Sequence, residues 1–296
     1  MIDVKRLGHA SLATPDVAKQ VDYWTAVMGF QVVDRTKERV LLATKFGQEA
    51  IALEYGAEVG LSRLSFEVSP GTDLGEVVAS LREHGIAAEY QTDITPGIGK
   101  AVVFVDPNGT TIEVFETPYF HAASKSELGA TILKFGHVAY RVPNIKEIAD
   151  FYCSVLGFRA SDWVGEKLAF LRCGVDHHTI NLAKYDKAAL HHMAFEVKDW
   201  AEIQRSCELL QRNEYQLVWG PLRHTVGHNI AAYHRNPDDI RVEFFCEMDL
   251  MKDESLGYFE PRPWHEEFPM RPKTWPADTW RSAWGFGSFG TFPGYP

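Results

Sequence analysis

The chain reads as an α+β protein in which one small module is used four times, as two tandem copies of a two-module unit. Three observations predict this. Residues 8–34 (GHASLATPDVAKQVDYWTAVMGFQVVD) align without a gap with 136–162 (GHVAYRVPNIKEIADFYCSVLGFRASD). Farther on, 65–68 (SFEV) match 194–197 (AFEV), and 106–113 (DPNGTTIE) match 236–243 (NPDDIRVE). The separations are 128, 129 and 130 residues, and three anchors in order with so little drift mark an internal duplication.

Each copy reads the same way from its residues. A first strand (7–13; 134–142) leads to Pro15 or Pro143, placed where prolines open helices. The helix that follows carries apolar residues three and four apart: Val17, Val21, Trp24 and Met28, then Ile148, Phe151 and Val155. Gly29 and Gly157 end it at the usual C-terminal glycine position. Three short strands come next (30–34, 40–44, 50–53; 158–163, 168–172, 178–182), then a further strand, a second helix (73–84; 199–212) and more strands. Each copy therefore holds two β-α-β-β-β units, which predicts curved mixed sheets flanked by helices. Residues 117–130 link the copies. From Pro261 on, the chain has seven prolines and four tryptophans and no strand or helix period, so an extended arm packed on its own domain or on a neighbouring subunit is expected.

Composition narrows the function. With 296 residues, 45% of them hydrophobic and 12% aromatic, the chain can fill a large core. A formal charge of −10 and the lack of a basic run argue against nucleic acid and membrane surfaces as partners. No apolar run is long enough to span a bilayer, and MIDVKRLGHASLATPDV lacks the apolar core of a signal peptide. Cys153, Cys173, Cys207 and Cys246 show no CxxC spacing and read as reduced thiols of a cytoplasmic protein.

The stretch 220–245 (GPLRHTVGHNIAAYHRNPDDIRVEFF) carries the chemistry. It places His224, Tyr233 nine residues on and Glu243 ten beyond, across a turn at 236–239. The β-branched and aromatic runs on either side predict a hairpin. Glu243 points away from the Val242/Phe244 face, and a carboxylate in so apolar a strand needs a partner, commonly a metal. His137 on the first strand and the doublet His191/His192 on a later one can meet it. Two histidines and a carboxylate on three strands leave open positions on one metal, a set suited to non-haem Fe(II). Neighbours on a strand face opposite ways, so the choice within His191/His192, and within His177/His178, stays open. The first copy keeps His9 and Glu113 but has Arg63 in the place of His192 and Val103 in that of Tyr233. A fixed cation at a ligand position excludes a metal there, and Arg63 is expected to pair with Glu113 instead. His228 and His234 read as pocket rim or solvent-facing.

The sequence resembles the type I extradiol ring-cleaving dioxygenases of the vicinal oxygen chelate superfamily over about residues 1–250. The resemblance rests on FGHVAYRV, on DHHTINL followed by LHHMAFEV, and on the order and spacing of His, Tyr, Pro and Glu in 220–245. It implies two tandem vicinal-oxygen-chelate domains, each two β-α-β-β-β modules in a curved mixed-sheet barrel flanked by helices: 1–120 without metal, 131–250 catalytic, then the arm at 251–296. It implies Fe(II), with Mn(II) as the alternative, held by His137, His192 and Glu243. His178 would be the acid/base residue beside the oxygen site, and His224 and Tyr233 would hydrogen-bond the substrate. The implied reaction uses O2 to cleave a catechol-type aromatic diol next to its hydroxyls, giving a muconic-semialdehyde-type product in aromatic degradation. A metal-dependent isomerase or epimerase of the same superfamily is the alternative, disfavoured by the joint presence of His178, His224 and Tyr233. A non-catalytic small-molecule binder is the other, and it has no use for three convergent ligands. Trp163, Leu222 and His228 are expected in the pocket lining, and the aromatic arm together with the habits of the family suggests a homo-oligomer. In place of the family's Asp-Pro-Asp-Gly turn stands Asn236-Pro237-Asp238-Asp239, which asks Asp239 for a glycine-like backbone.

Overall fold

The computed structural model of the chain describes residues 1–95, 98–116 and 120–285; the start of the linker (117–119) and the end of the aromatic arm (286–296) lie outside it. The first module runs β1 (Val4–Thr14), α1 (Val17–Asp22, continued by one π turn over Tyr23–Val27), β2 (Gln31–Arg35), β3 (Arg39–Ala43) and β4 (Glu49–Tyr55). The second runs β5 (Gly60–Val68), α2 (Leu74–Glu83), β6 (Ala88–Thr95), β7 (Ile98–Val105) and β8 (Thr111–Phe115). The second copy repeats this as β9 (Ile132–Val142), α3 (Ile145–Ser154), β10 (Arg159–Val164), β11 (Leu168–Arg172) and β12 (Ile180–Lys184). It closes with β13 (Ala189–Val197), α4 (Trp200–Arg212), β14 (Leu217–His224), β15 (Ile230–Arg235) and β16 (Arg241–Cys246). The prolines sit two residues ahead of the first helical residue: Asp16 and Asn144 are the caps, accepting from the backbone N–H of Lys19 and Glu147.

Each copy forms one mixed sheet. The first has the order β2-β3-β4-β1-β5-β8-β7-β6. The second follows the same order and gains a strand at each edge: β17 (Lys273–Trp275) beside β10 and β18 (Ser282–Gly285) beside β14. Both come from the arm, so a segment without strand periodicity nonetheless contributes strands. Short edge strands of this kind blunt open edges. The 236–239 turn keeps the shape of its counterpart, with Asp239 at φ 65° where Gly109 has φ 83°. No helix among the described residues is long and apolar enough to cross a membrane.

One core serves both copies, because aromatic side chains on and just beyond the first helix of each reach a phenylalanine in the sheet of the other, while the helices pack on their own strands. Trp24 and Phe30 meet Phe195 edge-on at 5.4 and 5.6 Å, and Tyr152 and Phe158 meet Phe66 at 6.4 and 5.7 Å. Polar contacts repeat the exchange. Tyr23 Oη lies 2.7 Å from His234 Nε2, and Tyr152 donates to Asp106 at 3.1 Å. His234 is thus wholly buried between the copies, not solvent-facing.

Burial pushes the Asp106 carboxyl up to about 6, against the pull of the Thr110 and Asn108 N–H groups and the Tyr152 hydroxyl. The folded chain therefore holds this proton to higher pH than the unfolded chain, whose carboxyl ionises near 3.8. The stability this carboxyl contributes is fullest below pH 4 and is lost as pH rises through 6. Asn236 occupies the equivalent place in the second copy with the same pair of turn hydrogen bonds. Asp106→Asn is expected to flatten the pH 4–6 stability profile and to stabilise at pH 7 by on the order of 1–3 kcal/mol. Urea midpoints measured across that range check it.

Candidate metal centre and active site

Strand register assembles the site. Ala194 on β13 stands opposite His137 on β9 and opposite Glu243 on β16, Tyr233 on β15 is opposite Glu243, and Trp219 on β14 is opposite Tyr233. Directly opposed residues share a face, so one row crosses five strands. His192 joins that face two residues before Ala194. The ladder slips between Leu190 and His192, leaving His191 as the extra residue. This bulge explains why both histidines of the doublet border the same cavity.

The nitrogen and oxygen atoms converge. His192 Nε2 and His137 Nε2 lie 3.0 and 3.2 Å from Glu243 Oε2 and 3.3 Å from each other. Ligand atoms at right angles about a first-row ion, each ~2.1 Å away, stand ~3.0 Å apart. The three therefore fit one face of a metal's coordination shell and leave the opposite side open. Charge agrees. Burial alone would raise the Glu243 carboxyl, but His137 and the hydrogen bonds from His137 and His192 hold it well below the usual carboxylate range. Burial lowers the His192 imidazole, partly offset by Glu243, so it is neutral, as a ligand must be. Asn229 Nδ2 donates to Glu243 Oε1 at 2.9 Å and His191 Nδ1 lies 2.7 Å from His192 Nδ1, each orienting a candidate ligand from behind. His137 Nδ1 has no such partner among the described residues.

The first copy shows what the same frame does without a metal set. Arg63 Nη1 donates to Glu113 at 2.9 Å, and Ser65, in the place of Ala194, lies within hydrogen-bonding distance of both His9 and Glu113. A cation and a hydroxyl fill the space an ion would need.

Two groups flank the open side. His178, in the turn before β12, packs its ring 4.3 Å from that of His137, and burial drives its imidazole well below the ordinary range. Across the site His224 Nε2 lies 2.7 Å from Tyr233 Oη, while His224 Nδ1 donates to the Arg281 carbonyl at 2.9 Å. Burial and the Glu243 charge keep the Tyr233 hydroxyl protonated. The cavity between them holds about 750 Å³ including its mouth. Its walls include Val164, Phe170, Trp219 and Val226, with Thr279, Trp280 and Arg281 of the arm across the entrance.

None of Trp163, Leu222 and His228 lines it. Strand alternation turns Val164 inward in place of Trp163. His228 is buried against Asp249 at 2.7 Å, and His265 of the arm binds the other carboxylate oxygen at 2.8 Å. The Arg262 N–H points at His265 Nδ1, so Nε2 carries the proton given to Asp249, and this second cluster is satisfied by hydrogen bonds. Asn229 and Arg281 escaped sequence reading. Asn229 could have been found by extending the comparison of copies, since Gly99 stands in its place; Arg281 lies in the arm, which has no counterpart.

The family model for the glyoxalase/bleomycin resistance protein/dioxygenase superfamily matches residues 6–114 and again 134–244. The chain belongs to this superfamily. Among curated relatives of this superfamily member is the biphenyl-2,3-diol 1,2-dioxygenase of Paraburkholderia xenovorans LB400, 26% identical over 263 residues, or 82% of this chain and 88% of that one. In fold it is similar to the Mn(II)-bound glyoxalase of Novosphingobium aromaticivorans, with a TM-score of 0.86 at 22% identity, covering 98% and 94% of the two chains. It is also similar to homoprotocatechuate 2,3-dioxygenase of Brevibacterium fuscum, with a TM-score of 0.83 at 22% identity, covering 98% and 91%.

Proposed function

We propose that this superfamily member is an extradiol dioxygenase that uses Fe(II) and O2 to cleave a catechol-type aromatic diol next to its hydroxyls, giving a muconic-semialdehyde-type product. The observation that carries the reading is the pairing of a three-ligand face with proton-handling groups on both sides of it: His178 on one, His224 with Tyr233 on the other. In this reading His137, His192 and Glu243 hold the metal, and Mn(II) is the substitute the same donors accept. A bound Fe(II) would acidify the diol and bring it together with O2 on one centre. A superfamily isomerase needs one base beside a carbonyl and has no use for groups on both flanks.

The protein's own part is orientation and proton handling. Apolar walls from Phe170, Val164, Val226 and Trp219 favour a flat ring and exclude water. With Nδ1 given to the Arg281 carbonyl, neutral His224 presents Nε2 to the Tyr233 hydroxyl, which also lies beside the Glu243 carboxylate. The pair can take up one diol proton at His224 and return Tyr233 as a donor to a developing oxyanion. His178 is placed to take and return a proton on the other flank. The free cysteines suit a reducing cytoplasm. The arm's exposed aromatics, including Trp280, suit association into a homo-oligomer.

Anaerobic reconstitution with Fe(II), addition of a panel of substituted catechols and then oxygen tests the reading. The expected result is one O2 consumed per ring opened, seen as a yellow semialdehyde absorbance. No uptake with any diol, together with tight Zn(II) or Ni(II) binding, would overturn it. His178→Ala is expected to keep its iron and lose about 10²–10⁴-fold in kcat. Loss of iron instead would assign His178 to the ligand set.

A further inference from the structure

We propose that His177 and Asp162 are positioning residues that fix the tautomer of His178, and that the C-terminal arm holds this chain of hydrogen bonds in place. The inference rests on the reading of His178 as the acid/base residue. His177 Nε2 lies 3.1 Å from Asp162 Oδ2, and His177 Nδ1 lies 3.1 Å from His178 Nδ1. Asp162 also accepts from Trp275 Nε1 at 2.9 Å and from the Lys273 backbone N–H at 2.7 Å, both on β17 of the arm. His177 is 0% and Asp162 2% exposed, so neither has water as an alternative partner. The His177 backbone is itself pinned by its N–H on the Asp249 carbonyl at 2.8 Å.

The tautomers follow by exclusion. A carboxylate only accepts, so His177 carries its proton on Nε2. With that single proton on the ring, His177 Nδ1 is bare and accepts from His178. His178 therefore bears its proton on Nδ1, and Nε2 is the ring nitrogen left free as a base for the cavity that His178 lines. Without the chain, His178 could equally well present an N–H there and take up nothing. A proton arriving at Nε2 makes a cation whose Nδ1–H is directed through His177 toward Asp162. The first copy keeps only a partly exposed aspartate, Asp34, in the place of Asp162; Gln48 and Glu49 stand where His177 and His178 do.

The test uses the full-length chain and two readouts. With Zn(II) as a diamagnetic ion and ¹⁵N-labelled histidine, long-range ¹H–¹⁵N spectra should show one neutral Nδ1–H tautomer that disappears in His178→Ala. Asp162→Asn, whose amide can donate to His177, should convert that signal to the Nε2–H form. In the Fe(II) enzyme the same variant should lower kcat by about 10²-fold or more, with KM and metal content unchanged. Trp275→Phe removes one donor from Asp162 and keeps an aromatic ring; a smaller kcat loss is expected, and this variant decides the matter if Asp162→Asn does not fold. An unchanged tautomer in folded Asp162→Asn, an unchanged kcat in both variants, or losses that merely track metal content would each overturn the proposal. If His178→Ala keeps full turnover, it is the acid/base reading that fails; the tautomer measurement on the unmodified chain still stands.

Discussion

Glu243→Ala is expected to abolish ring cleavage and to destabilise the metal-free protein as well. The carboxylate is fully buried on β16, between His137 and His192, with Asn229 on its second oxygen. Removing a residue that merely supports a ligand commonly costs 10–100-fold in metal affinity, so losing the ligand itself should cost on the order of 10³-fold or more. Stability falls as well, because His137, His192 and Asn229 lose their buried partner, and removing one member of a buried set costs about 3–5 kcal/mol. Two measurements separate the effects. Titration with Fe(II) or Mn(II) should raise the melting temperature of the parent, since an ion that binds only the folded state stabilises it by mass action, and the rise should vanish in the variant. The metal-free variant should melt below the metal-free parent. A variant that still binds one equivalent of iron and opens catechols would remove Glu243 from the ligand set.

Much of this was legible in the sequence because duplication supplies its own control. The anchors around His137, Ala194 and Glu243 placed those strands side by side, and Arg63 against His192 distinguished the frame with a candidate ligand set from the one without; Arg63 indeed pairs with Glu113. What stayed hidden is what periodicity does not encode. Strict alternation would send His191 and His192 to opposite faces, and only the ladder slip at His191 brings both to the cavity. The reach of aromatic side chains between copies, with Trp24 against Phe195, leaves no local signature either, because Trp24 reads as a buried helix residue whichever sheet it meets. The strands of the arm were illegible for a related reason. Three- and four-residue strands rich in tryptophan, and separated by prolines, have too few positions to show a period of two, and their partners β10 and β14 lie far away in sequence.

The arm gives the second large effect: a chain ending after Arg271 is expected to fold and bind metal yet lose at least 10²-fold in turnover. His137, His192 and Glu243 lie on interior strands of the ten-stranded sheet, whereas β17 and β18 occupy its two edges. Such a chain keeps His265 on Asp249 and Phe259 and Met270 in their cluster with Met251, so the start of the arm stays docked. It loses both arm donors to Asp162, the Arg281 carbonyl that orients His224, and the wall of Thr279, Trp280 and Arg281 across the cavity mouth. Both flanks of the metal face are loosened at once while the ligands are untouched. Freed β10 and β14 edges should also make the truncated protein prone to self-association, visible on size exclusion. Metal analysis with oxygen uptake on one preparation is the decisive measurement. Full turnover in the truncated chain would show that the cavity, the His224 pair and the Asp162 chain all work without the arm, whereas iron lost in proportion to activity would mean that the arm supports the metal frame and not the groups beside it.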